Sequence, residues 1–248
     1  ESFPVQLVDS QAHLLVNGGP RYRRQFLDWG VFHVEPDFFP AWQRYRRILR
    51  QRNALLRSGK PTRELTSWDR ELISSGEILD RSRRDYLAVF ASQAARWARQ
   101  ALGEMEVGLE YRPGWPDDLS LQEALKGSAD RDRQTGTTQV GPHRADILIK
   151  VAEKAAQARV SRGQEKVLAG ALLLAQAALY RSIRGRACTL LLDDLAAELD
   201  AAHLARFLDM VDETSAQVFL TAIEPSPLIT TKADRVFHVK QGEISRMV

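Results

Sequence analysis

With 248 residues, 44% of them hydrophobic and 27% charged, the chain is long enough for one large domain or two small ones, and is neither a disordered tail nor a small stapled scaffold. Its 35 Lys and Arg against 32 Asp and Glu leave a net charge of +3, too small to argue by itself for nucleic acid or an anionic membrane, so the distribution of charge matters more than its sum. A single cysteine, Cys188, excludes an internal disulfide and points to a reducing, cytoplasmic setting, and no apolar run approaches the roughly 20 residues of a membrane span.

The sequence opens on Glu1 rather than Met, and 3–8 reads as the end of a strand with no turn before it, so the chain is expected to start inside a longer protein. Over 38–57, Phe38, Trp42, Tyr45, Leu49 and Leu56 recur at helical spacing, with Arg44, Arg47 and Arg50 on the other side. The stretch 21–57 carries nine Arg against Asp28, Glu35 and Asp37, a surplus of six that leaves the remainder slightly acidic. After a breaker at 58–61, Leu65, Leu72, Leu79, Tyr86, Phe90 and Trp97 form the seam of a second helix over 68–102, about 50 Å long, which folds back on the first as a helical hairpin. Met105, Val107, Leu109 and Tyr111 alternate as in a half-buried strand, a turn follows at 113–116, a second strand is expected at 145–151, and 152–159 reads as a loop or short helix. The pattern then changes to an apolar helix over 163–183, a strand at 189–192, a helix over 201–211, a strand at 218–222 and a hairpin at Gln241-Gly242. Alternating strands and helices predict an α/β fold with a parallel sheet covered on both faces.

The apolar strand Thr189-Leu190-Leu191-Leu192 delivers Asp193 and Asp194 to its carboxyl end, the edge at which open α/β sheets bind ligands. One carboxylate there suits Mg²⁺ beside nucleotide phosphates and the next suits orientation of an attacking water; the alternative is a solvated Asp-Asp turn or a helix cap. Ser161-Arg162-Gly163-Gln164 has capping-box spacing, and a hydroxyl, a glycine and free N–H groups at a helix start also make an anion site. Asp200 is the expected cap of the helix that follows Ala197-Glu198-Leu199.

In order, Ser161-x-Gly163-Gln164, the strand ending in Asp193-Asp194, and Glu198-Leu199-Asp200 resemble the signature motif, Walker B and D-loop of an ABC-type ATPase head. Within that superfamily, the segment from Asn17-Gly18-Gly19-Pro20 to Asp28-Trp29-Gly30, together with Gly141-Pro142-His143-Arg144-Ala145-Asp146 and the run from Leu192 to Asp200, is similar to the RecF family over nearly the whole chain. The resemblance implies an ABC-type ATPase head with a parallel sheet core, like that of P-loop NTPases, and an inserted helical arm: 1–19 would end an N-terminal ATPase lobe, 20–135 would form the arm, and 136–248 the C-terminal ATPase lobe. It further implies a cytoplasmic recombination mediator that binds ATP with Mg²⁺ and double-stranded or gapped DNA, forms an ATP-dependent homodimer, hydrolyses ATP slowly, and works with RecR and RecO in loading RecA, with no membrane partner. Carried over by position, Asp193 would hold Mg²⁺ and Asp194 would stand where most relatives place a catalytic Glu. Ser161, Gly163 and Gln164 would contact the γ-phosphate held by the opposite subunit, Asp200 would lie across that interface, and Gln6 would be the Q-loop residue.

Two departures bear on activity. No G-x-x-x-x-G-K-[ST] occurs, since Gly59-Lys60 runs into Pro61 and Gly141 into Pro142, so Walker A is absent and the resemblance places it upstream of this chain, which alone is predicted inactive. Many ABC ATPases carry a switch His at the end of the strand expected at 218–222, whereas this chain has Thr221-Ala222-Ile223 there, so another residue must sense the γ-phosphate. The reading from a different class is a nucleotide-independent DNA-binding or docking module that keeps the head fold without turnover; a transporter ATPase is disfavoured by the Arg-rich segment and the long hairpin. The Arg cluster reads either as phosphate contacts or as a solvated face, with ion pairs to Asp28 or Glu35 as the alternative for Arg23 and Arg24. His143 is expected to pack or hydrogen-bond in its loop, Trp42, Trp68 and Trp97 to belong to the core, and Cys188 to act as a small hydrophobe.

Overall fold

The structure, a computed structural model, describes residues 3–58, 62–103, 105–224 and 226–247, with the side chains of 62–64 left aside; Glu1 and the breaker residues Gly59, Lys60 and Pro61 lie outside the described residues. Strand β1 (Val5–Val8) leads through a single turn, α1 (Leu14–Asn17), into α2 (Pro20–Val34). Pro20 can open α2 because its missing N–H falls where a helix has no internal acceptor to lose. Helix α3 (Phe38–Ser58) and helix α4 (Thr62–Leu102), the latter 41 residues, form the expected hairpin: Arg52 meets Asp69 and Tyr45 lies against Gly76, an antiparallel register. Leu65, Leu72, Leu79, Tyr86, Phe90 and Trp97 are all buried along α4. On α3 the buried stripe is Phe38, Ala41, Tyr45, Ile48, Arg52 and Leu56, while Trp42 and Leu49 lie at its half-buried margin.

Strand β2 (Val107–Arg112) pairs antiparallel with β3 (Asp146–Val151), and between them lie α5 (Leu121–Thr135), which the periodicity did not reveal, and a 3-10 turn at Pro142–Arg144. The two-residue strand β4 (Lys154–Ala155) extends this sheet. Helix α6 (Arg162–Arg184) is the most buried element and is followed by β5 (Thr189–Asp193), the short α7 (Leu195–Glu198), α8 (Ala201–Thr214), β6 (Gln217–Thr221), the one-turn α9 (Pro227–Thr230), and the hairpin β7 (Phe237–Lys240) and β8 (Glu243–Arg246). Gly170 lets α6 and α8 approach closely, since a Cβ there would sit 2.4 Å from Phe207.

Strands β1, β5 and β6 form a parallel sheet with β5 in the centre. One face, with Val8, Leu190 and Leu192, is buried in the core beside α6. The other departs from the expected double cover: Leu7, Leu191 and Phe219, aligned across the three strands, are 49%, 36% and 56% exposed.

Arginines tie the helices to the turn that enters β3. Buried Arg83 of α4 donates to both oxygens of Asp28 at 2.9 and 3.1 Å and to the Pro142 carbonyl at 2.8 Å. Arg23 pairs with Asp146 at 2.7 Å and Arg24 donates to the Ala145 carbonyl at 2.7 Å. The ion pairs with Asp28 or Glu35 weighed for these two residues are thus replaced by partners more than 120 positions away. Arg52 is clamped by Asp69, Asp132 and Thr138. His143 donates through Nε2 to the Thr138 carbonyl at 3.0 Å, which leaves Nδ1 of the neutral ring to accept from Tyr45 Oη at 2.7 Å, in keeping with a hydrogen-bonding loop residue. Trp97 is fully buried, Trp42 and Trp68 pack against the core, and Cys188 is buried with its thiol pushed up to about 11 by desolvation.

Candidate functional site

β5 carries Asp193 out of the core at the carboxyl end of the parallel sheet, where its side chain is exposed. Thr221, the last residue of β6, stands opposite Asp193 in register, and its Oγ1 donates to Asp193 Oδ1 at 2.5 Å. The same threonine receives the Asp194 N–H, at 3.1 Å on its carbonyl and 3.2 Å on Oγ1. Asp194 itself adopts the left-handed conformation (φ 50°, ψ 39°), which Asp tolerates better than most residues, and this bends the chain from strand into α7. Its carboxylate makes no capping bond to α7, so the helix-cap alternative does not describe it. Thr221 carries no motif of its own in the sequence; its only mark is its place at the end of the strand where many ABC ATPases carry a switch His.

Ser161 caps α6 as its spacing predicted. Its Oγ accepts from the Gln164 N–H at 3.3 Å, and Gln164 Oε1 accepts from the Ser161 N–H at 2.9 Å. A Cβ on Gly163 would meet nothing within 4 Å, so this face of the first turn is open to solvent. The second turn is anchored: Asn17 donates to the buried Glu165 at 2.7 Å, and Lys166 pairs with Glu198 of α7. Asp200 caps α8, accepting from the His203 N–H at 2.9 Å and from His203 Nδ1 at 2.7 Å, and these bonds hold its carboxyl below the ordinary range.

The structure therefore joins Asp193, Asp194 and Thr221 at one sheet edge and keeps Ser161, Gly163 and Gln164 as a separate cluster at the start of α6. Among the described residues no hydrogen bond links the two groups directly; the Lys166–Glu198 pair connects the elements that carry them. Gln6 does not follow the first strand: it lies within β1, buried opposite Leu190, with Oε1 lacking a partner. Among the described residues no three His, Cys, Asp or Glu side chains converge to form a complete metal cage. The donor chemistry nevertheless suits Mg²⁺, which takes one or two carboxylates and completes its shell with phosphate and water oxygens. The open first turn of α6, with N–H groups that have no helical acceptor, suits a phosphate oxygen. A cavity of about 530 Å³ lies elsewhere, among α3, α4 and α5, lined in part by Arg52, Leu56, Asp69, Arg70, Leu125 and Lys126.

No protein-family model matches the chain. The DNA replication and repair protein RecF of Chromohalobacter salexigens is 41% identical over 249 residues, an alignment that covers 98% of this chain and 69% of that protein. A solved structure of the recombination mediator protein RecF with ATP, from the RecFOR pathway, superposes with a TM-score of 0.87 at 23% identity, over 99% of this chain and 68% of that one. An Smc head domain from Pyrococcus furiosus with an extended coiled coil superposes with a TM-score of 0.50 at 14% identity over 99% of this chain and 61% of that one. The fold is accordingly that of an ABC-type ATPase head, and at 41% identity over almost its full length the chain belongs to the RecF family.

Proposed function

We propose that the chain is the arm and C-terminal ATPase lobe of a recombination mediator that binds double-stranded and gapped DNA in an ATP-dependent homodimer and, with RecR and RecO, supports RecA loading in the cytoplasm. The observation that carries this reading is the Asp193–Thr221–Asp194 arrangement at the carboxyl edge of the parallel sheet. Asp193 would hold Mg²⁺, whose charge neutralises the β- and γ-phosphates when it is bound. Thr221 keeps one oxygen of that carboxylate fixed and leaves the other to a ligand. Asp194, released from any capping duty, would orient the attacking water; its side chain is one methylene shorter than the Glu of most relatives, in keeping with slow turnover. Ser161, Gly163 and Gln164 would meet the γ-phosphate held by the opposite subunit, with Asp200 across that interface, so hydrolysis would require the dimer. Under this reading, 20–135 is the arm and 136–248 the C-terminal lobe.

The test measures ATP-dependent dimerisation and DNA-stimulated hydrolysis for this chain and for a version extended upstream to the length of its relatives. This chain alone should not hydrolyse ATP, because it has no P-loop motif. The extended version should dimerise with ATP, and Asp194→Asn should lower its turnover about 100-fold. Absence of an ATP-dependent dimer, together with an unchanged rate in Asp194→Asn, would overturn the mechanism. Nucleotide-independent DNA binding without turnover would instead favour a docking module.

A further inference from the structure

α3 carries six Arg and no Asp or Glu in 21 residues. Arg52 is buried and consumed by Asp69, Asp132 and Thr138. The other five are exposed. Arg44 pairs with Glu71 of α4 at 3.1 Å, and Arg57 Nη1 lies 3.5 Å from the Gly136 carbonyl. Among the described residues no carboxylate lies within ion-pair distance of Arg46, Arg47 or Arg50. At about 100° per residue, Phe39, Arg46, Arg50 and Arg57 fall on one line, with Arg47 beside it, on the side of α3 away from its buried stripe. The Arg46 guanidinium lies 4.5 Å from the centre of the Trp42 ring, and Trp42 stacks on Phe39 with ring centres 6.1 Å apart, which holds the head of the row in place.

A solvated helix face ordinarily intersperses both signs, because like charges three or four residues apart destabilise a helix by about 0.2–0.5 kcal/mol per pair. Here Arg46, Arg47 and Arg50 repel one another with no compensating carboxylate on their own helix. Arg stems that merely cover apolar surface lie at the margin of the buried stripe, as Arg46 does over Trp42, whereas Arg47 and Arg50 lie opposite it. From Arg46 to Arg57 the row runs about 17 Å, the length of about five steps of one duplex strand. We infer that this face of α3 is a nucleic-acid interface on which Arg46, Arg47 and Arg50 track the phosphate backbone without reading sequence. The inference rests on the DNA-binding reading above and assigns that binding to a specific surface.

The experiment titrates fluorescent duplex DNA with the version extended upstream, in the presence of ATP, at 50 to 200 mM salt, for the wild type, for Arg46→Gln/Arg47→Gln/Arg50→Gln, and for a charge-matched control, Arg99→Gln/Arg131→Gln/Arg206→Gln, on α4, α5 and α8. Gln is a good helix former, and circular dichroism checks that both variants fold. The wild type should bind with a steep salt dependence. The α3 variant should bind at least about tenfold more weakly at 50 mM, with the slope of log affinity against log salt reduced by about 2.7, which is about 0.9 for each lost phosphate contact. The control should match the wild type. An unchanged slope in the α3 variant, an equal loss in the control, no wild-type binding at 50 mM salt, or binding to phosphatidylserine vesicles in preference to DNA would each overturn the assignment. Such results leave ATP-dependent dimerisation of the extended protein untouched, and loss of that dimerisation leaves the α3 result standing, so the two readings fail separately.

Discussion

The region built by α2 to α5 and the region built by α6, β5 and α8 solve the same burial problem with different materials. Around α4 the interior includes charge: buried Arg83 pairs with half-buried Asp28, buried Arg52 pairs with buried Asp132, and both arginines reach elements far away in sequence. Around α6 the interior is mostly hydrocarbon, with Leu168, Leu172, Leu174, Leu190 and Leu192 almost completely excluded from solvent and the uncharged Gln176 donating to the Phe26 carbonyl, and charge is displaced to the sheet edge and the helix starts. Buried ion pairs contribute little net stability, yet removing one partner is costly, so they select one arrangement of helices over others with similar apolar contacts. An apolar interior selects less and stabilises more per residue, and it leaves the polar edge free for ligands.

Substitutions can break this contrast. The largest effect is expected for Arg83→Met, which leaves Asp28 without its partner and the Pro142 carbonyl without its donor, at a cost of about 3–5 kcal/mol. In a domain of this size that lowers the thermal midpoint by roughly 6–20 °C, as followed by circular dichroism. Leu172→Ala in the apolar region should cost about 2–5 kcal/mol through lost transfer energy and the cavity left behind. If Arg83→Met proves milder than Leu172→Ala, the charged interior is not what fixes the packing of the helical region. A smaller effect sharpens the comparison through pH. Burial, and to a lesser extent the nearby Arg144 and Arg24, push His143 down to about 4, although its bond to Thr138 acts in the opposite sense. The unfolded chain, with His near 6.5, takes up this proton first, so the contribution is complete above about pH 6.5 and is lost as pH falls through 4. The loss should reach about 2 kcal/mol by pH 5. His33 is lowered too, by burial and then by Arg184 and Arg186, so the informative quantity is the drop in midpoint between pH 7 and pH 5 in wild type minus that in His143→Gln. Equal drops in the two proteins would show that protonation of His143 is not coupled to folding.

Legibility in the sequence followed the strength of local pattern. The α4 seam repeats one apolar position per two turns and was readable in full, as were β5 and the Ser161 capping box. Helix α5 escaped because only Leu121, Ala124, Leu125 and Ala129 give it an apolar side, although Ser120-x-x-Glu123 is a capping box that marks its start. Helix α2 was read only as part of a family segment, although Pro20 after two glycines was a start signal in its own right. Of the candidate site, the two aspartates and the caps were visible as residue types at the ends of elements. The left-handed turn at Asp194 and the role of Thr221 were not, because both depend on β6 lying beside β5 in a particular register.

The sequence by itself determined which faces of the long helices turn inward, where helices α6 and α8 begin, and that two carboxylates sit at the end of an apolar strand, because spacing along a helix or strand fixes these without reference to the rest of the chain. Only the tertiary structure decided that Arg23 answers to Asp146 and Arg83 to Asp28, that Thr221 grips Asp193, and that one sheet face carries Leu7, Leu191 and Phe219 in the open. Each of these is a meeting of residues from separate elements, and local spacing contains no information about which separate elements will meet.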